Sequence, residues 1–118
     1  MTANLFDLSD RMAIVTGGNG GIGLGIARGL AQAGASVAVV GRNAEKNASA
    51  VHELQALGSA QSCAIEADVT DAAACRSMIA AVMQRCGRLD ILVNNAGINI
   101  RKAPQEYALE EWQKIIET

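Results

Sequence analysis

Residues 12–23 read M-A-I-V-T-G-G-N-G-G-I-G. Met12, Ala13, Ile14 and Val15 form the unbroken apolar run of a strand buried on both faces. The spacing of residues 22–33 then predicts a helix. Glycines are needed where such a strand hands over to such a helix. Gly17 allows the tight turn, Gly21 lets backbone approach a pyrophosphate, and Gly23 brings the helix close to the sheet. The first turn of the helix offers N–H groups without intrahelical partners, and so partial positive charge for an anion. Glycines alone would mark any turn. In strand–turn–helix order they point to a dinucleotide.

Outward from this turn the chain alternates strand and helix. Residues 36–40 read as a second strand after a helix stop at Gly34, and Asn43 is placed to cap a helix over 44–57 that Gly58 closes. Residues 60–67 read as a third strand, Thr70 as the cap of a helix ending near Cys86 and Gly87, and 89–93 as a fourth strand. A further helix starts at Glu110, after a loop holding Pro104, the single proline. The alternation implies an α/β fold, a doubly wound parallel sheet of Rossmann type. Gly25 and Gly29 interrupt the first helix at about 1 kcal/mol each relative to alanine. They share a face with Gly21, and close helix–sheet contact is the expected reason. Residues 1–118 contain no internal repeat or linker and read as one dinucleotide-binding segment.

Composition narrows the function. The hydrophobic fraction is 50% and the charged fraction 19%, a balance of folded rather than disordered chains. Formal net charge is −2 and no basic cluster occurs, which argues against nucleic acid or an anionic membrane as partner. No apolar stretch is long enough to span a bilayer. The opening M-T-A-N-L-F-D-L-S-D lacks the basic and apolar regions of a signal peptide, so a cytoplasmic location is expected. Cys63, Cys75 and Cys86 fit no zinc-knuckle spacing, and no metal site is assigned. Cys75, Ile79, Val82 and Cys86 follow helical spacing and predict one buried stripe. His52, the single histidine, has no acid or nucleophile beside it and reads as structural.

Two more signals fall where a nucleotide would lie. Asp68 and Val69 follow the third strand in A-D-V-T, and Asn94-Asn95-Ala96-Gly97 follows the fourth. In open parallel sheets, ligands bind beyond the carboxyl ends of strands. Asp68 is placed to accept a hydrogen bond from an adenine amino group, and small Ala96 and Gly97 let a ribose or ring come close. Alone, each would read as a turn or a loop tie. Together with the glycine turn they point to ligand contact.

The succession T-G-G-N-G-G-I-G, A-D-V, N-N-A-G resembles the short-chain dehydrogenase/reductase family, over nearly the whole chain. The resemblance implies cofactor contacts at Gly17, Asn19, Gly20, Gly21 and Ile22, adenine contacts at Asp68 and Val69, and a sheet-stabilising role for Asn95, Ala96 and Gly97. L-F-D-L near the start and N-N-A-G-I-N-I-R-K-A-P are similar to gluconate 5-dehydrogenase-like, sugar-acid members. On that similarity Arg101 or Lys102 would pair with a substrate carboxylate; a solvated pair on a loop is the bland alternative. Members of the family act on small-molecule alcohols or ketones, and a homo-oligomer is expected for the full-length form.

Cofactor choice is read from the end of the second strand, V-V-G-R-N. A fold that selects NAD usually places an acid about 20 residues after the glycine turn, on the ribose 2′-OH. Gly41 stands at that position here. The missing carboxylate and the neighbouring Arg42, with Asn43 beside it, favour NADP(H) over NAD(H), because guanidinium pairs bidentately with phosphate. Against this, Gly20 stands where many NADP-using relatives carry a basic residue.

The family's chemistry rests on an Asn, a Ser and a Tyr-x-x-x-Lys element. Tyr107, the single tyrosine, is followed four residues later by Glu111, so no catalytic residue is assigned. The resemblance therefore implies a chain truncated before its catalytic half: an oxidoreductase segment, itself inactive. The alternative is a non-catalytic nucleotide-binding or regulatory module of the same fold.

Overall fold

Every residue of β1, Met12–Thr16, is buried, because both faces of the strand are covered. The computed structural model describes residues 7–59, 61–96 and 109–110. After β1 come α1 (Gly21–Gln32), β2 (Ser36–Gly41), α2 (Ala44–Ala56), β3 (Cys63–Glu66), α3 (Ala72–Cys86) and β4 (Ile91–Asn94). The strands form one parallel sheet in the order β3-β2-β1-β4. This is the expected Rossmann-like arrangement, over its N-terminal half.

Successive strand residues point to opposite faces, so an apolar run supplies two cores. Val15, Val37 and Val39 pack with Ala27 and Ala31 of α1 and Ala50, Val51 and Leu54 of α2. Met12, Ile14, Ala38 and Val40 face the other way, toward Met78 and Val82 of α3. Ile14 and Val15, neighbours in sequence, thus belong to different cores. β4 lies at one edge, where Leu92 is 50% exposed.

The third strand is shorter than expected, Cys63–Glu66 rather than 60–67. A side chain replaces the missing ladder. The Val37 N–H donates to Ser62 Oγ at 3.0 Å, and Ser59 Oγ donates to the Ala35 carbonyl at 2.7 Å. Because the Ser59 proton is used on Ala35, Ser62 donates to Ser59 across their buried Oγ contact. Ser62→Ala is expected to lower unfolding free energy by about 1–3 kcal/mol, the cost of a buried N–H left without an acceptor. Urea unfolding reads this; an unchanged midpoint would mean that the Val37 amide finds another acceptor.

Four local expectations are corrected. Gly25 and Gly29 are exposed, and among the described residues no atom lies near a Cβ built on either, so they serve no close contact there. Of the expected cysteine stripe on α3, Val82 is buried, but Ile79 is 42% exposed and both cysteines are only half-buried; Met78 takes the inner position. The cap of α3 is Asp71, whose carboxylate accepts from Ala73 N–H at 2.9 Å, while the Thr70 hydroxyl donates to Asp68 at 2.6 Å. The fourth strand begins at Ile91 because Asp90 uses its carboxylate, accepting from the Met12 N–H at 2.9 Å. Asp90 also accepts from Arg88 at 2.6 and 2.7 Å. That pairing first, and the Met12 bond next, hold its carboxyl well below the usual carboxylate range. Among the described residues no helix is long and apolar enough to cross a membrane.

Candidate functional site

β1 sits between β2 and β4. The chain runs outward from β1 through β2 to β3, then crosses back to place β4 on the other side. Such a reversal of strand order opens a crevice at the carboxyl ends of the strands. A cleft of about 450 Å³ lies there. The glycine turn lends it Gly17, Asn19 and Gly20; the end of β2 lends Gly41, Arg42 and Asn43; the loop after β3 lends Asp68, Val69 and Thr70; the end of β4 lends Asn95 and Ala96. Nine of the twelve residues singled out from sequence are thus brought together. Gly21 and Ile22 do not line the cleft; they open α1 beside it, with Ile22 78% exposed. Gly97 lies outside the described residues, as do Arg101, Lys102, Tyr107 and Glu111.

The helices differ at their N-termini. Asn43 caps α2 by accepting from the Lys46 N–H at 3.0 Å, and Asp71 caps α3. The N-cap of α1 is Gly20, which has no side chain to offer, and no acid stands in the first turn. The first N–H groups of α1 are left for an anion at the cleft, the donor arrangement that suits a pyrophosphate. The turn is also tight enough to need glycine twice. Gly17 has φ 67° and its absent Cβ would lie 3.1 Å from Ala96 Cα. A Cβ on Gly23 would overlap the Gly17 carbonyl and come within 2.5 Å of Asn95 Nδ2.

Sequence reasoning missed three residues here. Thr16 ends β1 with a buried hydroxyl that donates to the Val93 carbonyl at 3.2 Å and accepts from Asn95 and Ala96 N–H at 3.0 and 3.1 Å. Asn95 Nδ2 approaches the Gly17 carbonyl at 3.5 Å, so the N-N-A-G segment is tied to the glycine turn. A hydroxyl closing an otherwise apolar strand was the available signal. Asn47 is 1% exposed; its amide donates to the carbonyls of Gly41 and Ile65 at 3.0 and 3.2 Å and accepts from Asn19 Nδ2 at 2.9 Å. It stands three, four and seven residues before Ala50, Val51 and Leu54, in line with the apolar stripe of α2, and that register could have flagged it. Lys46, exposed in the first turn of α2, also lines the cleft.

The cleft has cations on one side and a carboxylate on another. Arg42 and Lys46 stand near the end of β2, and neither joins an ion pair among the described residues. Asp68 follows β3, its Oδ1 accepting from the Thr70 N–H at 3.0 Å. The turn reading of Asp68 therefore holds, and it holds within the cleft wall. No cluster of residues able to hold a metal ion occurs among the described residues.

The profile of the short chain dehydrogenase family matches residues 11–118. The chain belongs to this family. It is 44% identical over 115 residues to gluconate 5-dehydrogenase of Gluconobacter oxydans, covering 98% of this chain and 44% of that protein. Among solved structures, the RhlG/NADP active-site complex of Pseudomonas aeruginosa superposes with a TM-score of 0.87 at 41% identity, covering 98% of this chain and 44% of the other. A short chain dehydrogenase of Burkholderia cenocepacia in complex with NADP gives a TM-score of 0.85 at 39% identity, covering 93% and 45%. The chain thus spans less than half the length of these relatives.

Proposed function

We propose that these 118 residues are the cofactor-binding half of a short-chain oxidoreductase that moves hydride between NADP(H) and an alcohol or carbonyl carbon. One observation carries the reading: the glycine turn, Arg42, Asp68 and the Asn95–Ala96 segment, which are far apart in sequence, wall a single cleft. The residues present suit the cofactor. The uncapped start of α1 and the turn around Gly20 and Gly21 would hold the pyrophosphate. Arg42, with no ion-pair partner among the described residues, would take the 2′-phosphate, and Asp68 with Val69 the adenine. Asn95 and Ala96 would flank the ribose nearest the nicotinamide. Bound nicotinamide supplies or accepts the hydride. What this chain contributes is grip and orientation.

The finer readings have separate supports. NADP(H) over NAD(H) rests on Gly41 and Arg42, and two of the structural neighbours are NADP complexes by name. A sugar acid as substrate class rests on the likeness to gluconate 5-dehydrogenase and on Arg101 and Lys102. Half-exposed Ile79, Met83 and Leu92 support burial against further protein surface, in keeping with a homo-oligomeric full-length form. The net charge of −2 without a basic cluster supports a partner that is neither nucleic acid nor an anionic membrane.

Arg42→Ala in the full-length protein tests the cofactor assignment. A charge-assisted bond to phosphate contributes about 1.5–3 kcal/mol, so NADP+ affinity is expected to fall about tenfold or more. NAD+ affinity should barely change. Equal losses for both cofactors, measured by calorimetric titration, would remove Arg42 from the 2′-phosphate.

A further inference from the structure

We propose that the hydrogen-bonded pair Asn19–Asn47 keeps position 41 free of any side chain, and that this closure acts with Arg42 to select a 2′-phosphate over a 2′-hydroxyl. The inference rests on the NADP(H) reading above and names the residues that enforce it. Gly41 ends β2 and lines the cleft. Its φ is not in the left-handed region, so backbone conformation does not demand glycine there. Space does. A Cβ on Gly41 would stand 2.5 Å from Asn19 Nδ2 and 2.8 Å from Asn47 Oδ1.

A single amide at the tip of a side chain would ordinarily swing aside. Here the swing is opposed from both ends. Asn19 Nδ2 donates to Asn47 Oδ1 at 2.9 Å, so moving Asn19 strips a buried oxygen of its donor. Asn47 cannot retreat, because its own Nδ2 is held by the carbonyls of Gly41 and Ile65 at 3.0 and 3.2 Å. One buried amide thus joins the end of β2, the end of β3 and the glycine turn. A carboxylate at position 41, the means by which this fold reads a 2′-OH, is admitted only if the turn residue Asn19 is displaced. The position is closed by hydrogen bonds rather than by bulk.

The test uses the full-length protein, with NADP+ and NAD+ affinities measured by calorimetry and folding checked by circular dichroism. Gly41→Asp alone is expected to weaken NADP+ and to gain no affinity for NAD+. Adding Asn19→Ala to it should raise NAD+ affinity by about tenfold or more, the scale of relieving one buried polar conflict. An uncharged pair separates sterics from charge. Asn19→Ala should weaken NADP+ binding in the wild type but strengthen it in Gly41→Ala, a reversal of sign that marks direct coupling. Tight NAD+ binding by Gly41→Asp with Asn19 in place would overturn the proposal. So would an Asn19→Ala loss of equal size in both backgrounds. Failure of the cofactor reading looks different: the wild type itself would bind NAD+ as tightly as NADP+.

Discussion

Gly23→Ala is expected to abolish cofactor binding and to lower stability by about 1–3 kcal/mol, the usual cost of overpacking a closed site. The added carbon would overlap the Gly17 carbonyl and press on Asn95 Nδ2; the amide tip can turn aside, but the backbone carbonyl cannot. Gly17 lies in the turn itself, its N–H bound to the Val40 carbonyl at 2.8 Å. Asn95 is anchored through its backbone to Thr16. Relief must come from the start of α1 lifting off the sheet, which re-aims the N–H groups meant for pyrophosphate. Gly21→Ala makes the contrast. Gly21 has φ 56° and, among the described residues, nothing within 4 Å of its absent Cβ, so the cost to folding is about 1–2 kcal/mol of left-handed backbone, and any loss of binding comes from the added carbon meeting the cofactor itself. NADP+ titration and urea unfolding of both variants check the pair. Binding retained by Gly23→Ala would refute the close approach of α1 to the glycine turn.

Purified as a 118-residue chain, the protein is expected to turn over no alcohol or carbonyl compound. Positioned general acid–base catalysis contributes about 10²–10⁴-fold to a rate, and no Tyr-x-x-x-Lys element occurs in these residues. Tyr107, the single tyrosine, has Glu111 and not a lysine four residues on. Absorbance of reduced cofactor, followed with acidic and neutral sugars, is the readout. Robust turnover by a sample whose intact mass matches these 118 residues alone would defeat the reading of this segment as a cofactor-binding half.

The sequence disclosed most where one residue type has one physical use. Apolar runs such as M-A-I-V and V-A-V-V become strands covered on both sides, and their alternation with helices yields the sheet order. Asn43 was legible as a cap because its side chain has a local job. Thr70 was misread for the same reason: Asp68, Thr70 and Asp71 can all cap, and only the fold decides that Asp71 does while Thr70 serves Asp68. Strand ends were misplaced where side chains stand in for the ladder, Ser62 before β3 and Asp90 before β4. Gly25 and Gly29 share a face with the glycine turn, but that face looks outward. Asn47 shows in sequence only as a polar residue in the apolar register of α2, because its three partners come from three different segments. Residues that act alone can be read along the chain; residues that join distant segments leave there only a polar group in an apolar pattern, without their partners.

The hydroxyl of Thr16 bears on how the cleft comes into being. Its partners Val93, Asn95 and Ala96 lie 77, 79 and 80 positions along the chain. β1 must therefore wait for three complete crossovers, through α1, α2 and α3, before its end is closed. Such a distant pairing carries the largest loop-closure entropy of the sheet, and contacts of long sequence separation slow folding. The glycine turn can form early from neighbours, whereas its wall at Asn95 arrives with the docking of β4. A ligand that needs both will bind only the closed form, and so will hold β4 in place by mass action. Occupancy and completion of the sheet are one linked equilibrium.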